Sequence, residues 1–181
     1  VRGRVTLRKA RIEDAAILSL WDRDEAVIAS HGEEAQADEI WRDEEWADEI
    51  AADPPWRTIL IGEEDGRPVG AIVDIDPALE ETHYWGDCGP GLRAFDTWIG
   101  AAADRSRGIG AQMMSLALFR AFEDPSVQSV IIDPIETNRR AIRFYERCGF
   151  RALERRRFGH DDCLVMRIDR NNFHRRYLSE A

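Results

Sequence analysis

No apolar run in this sequence approaches the roughly 18 to 20 residues that a membrane-spanning helix requires. Cysteine is scarce: Cys88, Cys148 and Cys163 are odd in number, far apart and without any C-x-x-C. That excludes a disulfide framework and a cysteine zinc site, and fits free thiols in a reducing compartment. His31, His83, His160 and His174 form no i, i+4 pair, so no metal is expected. Positive charge is in deficit, with 25 Lys and Arg against 35 Asp and Glu and a formal charge of −10. Phosphate-backbone binding needs clustered cations, so nucleic acid is not the expected partner. The acidic excess suits a cationic substrate drawn in by the field, and suits plain solubility equally well. The basic start, "VRGRVTLRKA", is followed by no apolar block of signal-peptide length. The expectation is a cytoplasmic protein that neither crosses nor anchors to a membrane.

What is present is an ordinary globular composition, 44% apolar and 33% charged over 181 residues. One domain is expected over residues 1–181, with its core at about 5–170. Residues 5–10 alternate and carry β-branched side chains, which predicts a first strand. Ile12, Ala16 and Leu20, with Ile17 and Trp21, are spaced for a helix, and residues 33–50 form a second helical stretch carrying Ile40, Trp41 and Ile50. Residues 57–75 read as a hairpin turning over "EDGRP". A segment without period, residues 77–92, follows; loops this long are often functional. "RAFDTWIGAAA" is a further strand, "AQMMSLALFRAFED" a helix, "QSVIIDP" a strand and "TNRRAIRFYERCGF" a helix stopped by Gly149. "RALERR" and "DCLVMRI" are the last strands. Hairpin-linked strands first and helix-linked strands later predict a mixed sheet with helices on both faces.

Between a strand and a helix stands "RSRGIG", residues 105–110. Gly108 and Gly110 leave backbone N–H groups unobstructed, and the helix starting near Ile109 adds its unpaired N–H groups, Ala111 included, and its positive dipole end. Arg105 and Arg107 are suited to phosphate oxygens. The loop is built to hold a phosphate or pyrophosphate. It is not a Walker loop, because no GK[ST] occurs, nor a dinucleotide fingerprint, because Met113 stands where the third glycine belongs.

The loop instead matches [QR]-x-x-G-x-[GA]. Downstream, Asn138, Ala141, Phe144, Tyr145, Glu146, Gly149 and Phe150 match N-x-x-A-i-x-f-Y-e-k-x-G-F. Together they resemble the GCN5-related N-acetyltransferase (GNAT) superfamily. The resemblance implies an α/β (α+β) fold with a mixed, mostly antiparallel, splayed sheet flanked by helices. Four stretches look like bacterial aminoglycoside 6′-N-acetyltransferases: "GEEA" (32–35), "GPGLRAFD" (89–96), "FEDPSVQSVIIDP" (122–134) and the segment 138–150. Ala29, Ser30 and His31 depart from that pattern, standing where those enzymes can carry tryptophans that face the sugar.

The resemblance implies acetyl-CoA as cosubstrate, its pyrophosphate in the 105–110 loop, and transfer to a primary amine by direct attack. It places the aminoglycoside enzymes' catalytic aspartate on Asp96, as a base or as a carboxylate that only fixes the ammonium. Tyr145 is implied as the acid for the departing thiolate; by spacing alone it is equally a core aromatic. Trp98, Ile99 and Gly100 are implied to offer backbone groups to the pantetheine arm. Asn138 is a CoA contact or an ordinary helix cap. Asp133 resembles a ligand of the substrate amine, with Asp161 and Asp162 in a comparable place on the last hairpin. Tyr84, Trp85 and Asp87 in the long loop close over a cationic sugar or are solvated surface. The expected partner is thus a cationic small-molecule amine, favouring an aminoglycoside. The rivals are another amine (a protein N-terminus, a polyamine, a siderophore precursor) and a module that binds acyl-CoA without turnover.

Overall fold

The structure, a computed structural model, describes residues 3–31 and 42–179. Its strands are β1 (Val5–Lys9), β2 (Arg57–Glu64), β3 (Arg67–Ile75), β4 (Leu92–Ile99), β5 (Ser129–Ile132), β6 (Arg151–Phe158) and β7 (Asp161–Asp169). Its helices are α1 (Ala15–Asp22), α2 (Glu25–His31), α3 (Asp43–Ala52), α4 (Ile109–Glu123), α5 (Arg139–Arg147) and α6 (Arg170–Tyr177). The strands form a seven-stranded sheet in the order β1-β2-β3-β4-β5-β7-β6. β4 and β5 pair in parallel, and every other pairing is antiparallel. The mixed sheet expected from the element order is the one observed.

The expected hairpin closes on Asp65 and Gly66, at φ 52° and 83°. Two left-handed residues make the tight turn whose twist matches the strands it joins. Strand alternation then sorts side chains to two cores. Ile59, Ile61 and Ala71 pack with Leu18, Trp21 and Trp46 from α1 and α3, whereas Leu60 and Ile72 face α4. Helix α4 buries Ile109, Met113, Met114, Ala117, Leu118, Ala121 and Phe122, a stripe at helical spacing. Each large apolar side chain so buried contributes about 1.5–3 kcal/mol.

Two helices were not expected. Helix α2 begins where the Asp24 carboxylate accepts the N–H groups of Ala26 and Val27 at 3.0 and 3.3 Å, a cap that starts it two residues after α1. Helix α6 begins on Asp169, which accepts the Asn172 N–H at 2.7 Å, and buries Phe173 in the α4 core. Packing therefore continues past residue 170. Of the second helical stretch, residues 33–41, with Ile40 and Trp41, lie outside the described residues, as does "GEEA"; its remainder is α3.

Candidate active site

β4 and β5 are paired only where Leu92, Arg93 and Ala94 meet Ser129, Val130 and Ile131. β4 continues to Ile99, while β5 ends at Ile132, so the sheet splits beyond Ala94. Asp96 lies on β4 within the split and is exposed; Asp133 is the first residue after β5. The two carboxylates sense each other across the gap. Burial, and then the charge of Asp96, push the Asp133 carboxyl up to about 6, while the nearby Tyr84 hydroxyl acts the other way. Tyr145 is buried beside Phe144 and Phe150. Burial, then the charges of Asp96 and Asp133, raise its phenol well above the usual range, so it keeps its proton. The split thus brings Asp96, Asp133 and Tyr145 into one electrostatic neighbourhood.

On one side of β4 lies a groove of about 990 Å³, bounded by α2, the 105–111 loop and α5. Ser106 and Gly108 are both left-handed, at φ 63° and 84°, and Gly108 caps α4 without any side chain in the way. The first intrahelical bond runs from the Gln112 N–H to the Gly108 carbonyl at 3.3 Å. The N–H groups of Ile109, Gly110 and Ala111 precede it and have no acceptor of their own in the helix. Trp98 and Ile99 line the same groove, and Gly100 packs so tightly on the Trp21 indole that a Cβ there would collide with it. Main-chain donors, a dipole end and a free strand edge fit a phosphate-bearing ligand with an extended arm.

The two loop arginines line the groove and are also ion-paired within the chain. Arg105 turns inward: its guanidinium reaches Asp24 and the Gly100 carbonyl at 2.5 Å each and the Ile99 carbonyl at 3.3 Å. It ties the end of β4 to the start of α2. Arg107 pairs with Glu64 at 2.8 Å and with Asp104 at 3.0 Å. Asp104 is buried and also holds Arg67, at 2.7 Å, so its charge demands cations from this loop. A cation the sequence reading missed lies across the groove: Arg140 on α5 donates to Ser106 Oγ at 3.0 Å. Its signal was the basic repeat Arg139, Arg140, Arg143 and Arg147 on one short helix. Asn138 caps α5, its side-chain oxygen accepting the Ala141 N–H at 3.0 Å, and also lines the groove. Both of its expected roles have a place here.

On the other side of Trp98 opens a cavity of about 300 Å³, with Trp46, Trp56, Tyr84 and Trp85 among its walls and Asp22, Glu80 and Asp96 as its carboxylates. The Trp46 N–H donates to the buried Asp22 at 2.7 Å. Tyr84 stacks on Phe158 with centroids 4.5 Å apart and meets Trp85 edge-on at 4.7 Å. Among the described residues the indole N–H groups of Trp56 and Trp85 are buried without a hydrogen-bond partner. The departure at residues 29–31 does not deprive the cavity of indoles. They come from α3, from the lead into β2, from the long loop and from β4, while Ala29 and Ser30 line the groove instead. Asp87 and Asp161 are not among the cavity's lining residues, and Asp162 pairs with Arg157 at 3.3 Å. Sequence reading missed Asp22, Trp46, Trp56 and Glu80, which stand in no motif. Among the described residues no group of three His, Cys, Asp or Glu side chains is placed to hold a metal, and no helix is long and apolar enough to cross a membrane.

Comparison with known proteins agrees with this fold. The family model "Acetyltransferase (GNAT) domain" matches residues 11–158. The chain is 30% identical over 148 residues to aminoglycoside N(6′)-acetyltransferase type 1 of Klebsiella pneumoniae, covering 81% of this chain and 73% of that protein. It is 34% identical over 73 residues to a kanamycin resistance protein of Rhizobium radiobacter, covering 40% of this chain and 68% of that one. The fold matches the aminoglycoside acetyltransferase AAC(6′)-Ib, solved with coenzyme A and kanamycin, with a TM-score of 0.85 at 22% identity over 96% of this chain and 99% of that one. Spermidine N-acetyltransferase from Vibrio cholerae, solved with CoA and spermine, matches with a TM-score of 0.73 at 18% identity over 93% and 97%. The chain belongs to the GNAT acetyltransferase family and is an N-acetyltransferase with acetyl-CoA as its cosubstrate.

Proposed function

We propose that the chain acetylates a primary amine of a polycationic sugar, the 6′-amino group of an aminoglycoside, by direct attack on the thioester. One observation carries this reading: an acidic cavity walled by indoles opens beside Asp96, with Trp98 as the wall it shares with the phosphate-suited groove. Carboxylates attract ammonium groups, and aromatic faces pack on the apolar faces of sugar rings and on cations. An aminoglycoside N(6′)-acetyltransferase and a kanamycin resistance protein stand among the sequence relatives.

Acetyl-CoA supplies the acyl group as a thioester. The N–H groups of Ile109, Gly110 and Ala111, with Arg140, hold its phosphates, and the β4 main chain at Trp98, Ile99 and Gly100 pairs its arm. Asp133 and Asp96 receive the ammonium. Asp96, open to the cleft, takes the proton that the amine must lose before its nitrogen can form the new bond to the acyl carbon. As the carbon–sulfur bond breaks, the Tyr145 hydroxyl, protonated beforehand, gives its proton to the departing thiolate and takes another from solvent before the next turnover. Alignment of the two substrates across Trp98 lowers the barrier by several kcal/mol, within the roughly 7–11 kcal/mol that positioning can supply.

A thiol-release assay with acetyl-CoA against kanamycin, tobramycin, spermidine and short peptides tests the substrate class. Turnover confined to the amino sugars is expected. Turnover on spermidine or a peptide N-terminus, with none on the sugars, would reject the sugar while leaving the acetyltransferase.

A further inference from the structure

The segment between β3 and β4 carries no secondary-structure period, yet it forms one wall of the acceptor cavity. One buried carboxylate organises it. Glu80, 6% exposed, accepts the Thr82 N–H at 2.7 Å and the Tyr84 N–H at 3.0 Å, one on each carboxylate oxygen. Burial pushes its carboxyl up, but the N–H groups of Tyr84 and Thr82 outweigh burial and hold it below the usual range. It therefore stays ionised and keeps both acceptors. The backbone between these contacts is forced: His83 is left-handed at φ 52°, and the Gly86 N–H closes on the His83 carbonyl at 2.7 Å. A β-carbon-bearing residue holds such a conformation only where its surroundings over-determine it. The same turn sets Tyr84 flat on Phe158 and edge-on to Trp85, with its hydroxyl near enough to Asp133 to favour the charged carboxylate.

We infer that Glu80 is a positioning residue for the acceptor half of the site: by clamping the 82–84 turn it aims the Tyr84 hydroxyl at Asp133 and holds Trp85 as the cavity wall. The inference rests on the acceptor reading above, in which Glu80 is part of the cavity wall while Asp96 and Asp133 receive the reacting amine. Its action passes through Tyr84. Removing Glu80 frees the turn, withdraws the hydroxyl from Asp133 and leaves the donor groove as it was, since Glu80 does not line that groove.

Glu80→Ala, Glu80→Gln and Tyr84→Phe, with the double variant Glu80→Ala/Tyr84→Phe, test this. Two readouts separate failure of the inference from failure of the substrate assignment. The first needs no substrate: carbon-13 NMR of the side-chain carboxyls, with the Asp133 signal identified by its absence in Asp133→Asn. Facing Asp133 are Asp96 from β4, Tyr84 from the loop, Tyr145 from α5, Arg156 from β6 and Cys163 from β7. Tyr84→Phe removes the hydroxyl that favours the charged carboxylate, so the Asp133 midpoint must rise from about 6. Glu80→Ala must raise it in the same direction, Glu80→Gln less, and the double variant no further than Glu80→Ala alone. A midpoint that moves in Tyr84→Phe but not in Glu80→Ala overturns the inference. The second readout is kinetic, on whichever amine turns over: KM for the amine rises roughly 5- to 10-fold in Glu80→Ala, about the worth of one ordinary hydrogen bond. KM for acetyl-CoA stays within about twofold over the same comparison. Multiplicative effects of the two substitutions, or an equal loss on both substrates, overturn it too. Should Glu80→Ala not fold, Glu80→Gln decides alone, since its amide oxygen keeps one of the two N–H contacts.

Discussion

The donor groove and the acceptor cavity share Trp98 and differ in almost everything else. The groove's ligand-facing groups are largely main chain: the N–H groups at residues 109–111, set by left-handed Ser106 and Gly108, and the edge of β4 left bare where β5 ends. The cavity is built from side chains of segments far apart in the chain, from Asp22 on α1 to Trp98 on β4. A main-chain site tolerates side-chain change as long as the backbone keeps its conformation. A side-chain site changes its ligand whenever one wall residue changes. The geometry therefore commits this protein to one donor and leaves the acceptor open to substitution.

The largest expected effect falls where the two halves meet. Asp96→Asn lowers kcat by about 10²–10⁴-fold if Asp96 removes the proton, as general bases do. A rise in KM for the amine with kcat kept would instead assign it to ammonium binding alone. Next in size is Gly108→Val. A β-branched residue at φ 84° costs at least about 1–2 kcal/mol, so KM for acetyl-CoA rises about 10-fold while KM for the amine holds. Trp56→Ala is its counterpart: steady-state kinetics should show a rise of several-fold in KM for the amine alone, since one aromatic contact contributes about 0.5–1.5 kcal/mol. If either variant shifts both constants equally, the separation of groove from cavity fails.

The smallest effect is a pH signature. Asp133 has its carboxyl raised to about 6 in the folded protein, above the roughly 3.9 of an unfolded chain. A raised acid favours folding below about 4 and loses that advantage as pH climbs through about 6. Asp133→Asn should therefore raise Tm at pH 8 relative to the parent, the gain fading below pH 4. Amine binding needs the carboxylate, so kcat/KM for the amine should fall as pH drops through about 6. Calorimetry and a pH–rate profile read the two opposite slopes.

The same contrast explains what could be read from the sequence. "RSRGIG" and the segment 138–150 are contiguous, and contiguous backbone geometry writes itself into glycine positions and helix caps. The pairs of Arg105 with Asp24 and of Arg107 with Glu64 could not be read that way, because those two partners are remote in sequence. Nor could Asp22, Trp46 and Trp56 be assigned to a cavity, since nothing local distinguishes a wall tryptophan from a core one. Asp96 and Asp133 were picked out through the resemblance, and they lie on β4 and just after β5. Helix α2 carried a readable signal in the Asp24 cap, whereas α6, "RNNFHRRY", is polar and short and is held by Phe173 alone among its fully buried side chains.

The central claim is that an amino sugar enters the indole-walled cavity and is acetylated beside Asp96. Its most direct test is the structure of the product: kanamycin and acetyl-CoA incubated with the protein, and the sugar analysed by NMR. A single N-acetyl group on the 6′-amine is expected. Acetylation at another amine, or an unmodified sugar while acetyl-CoA binds, would contradict it.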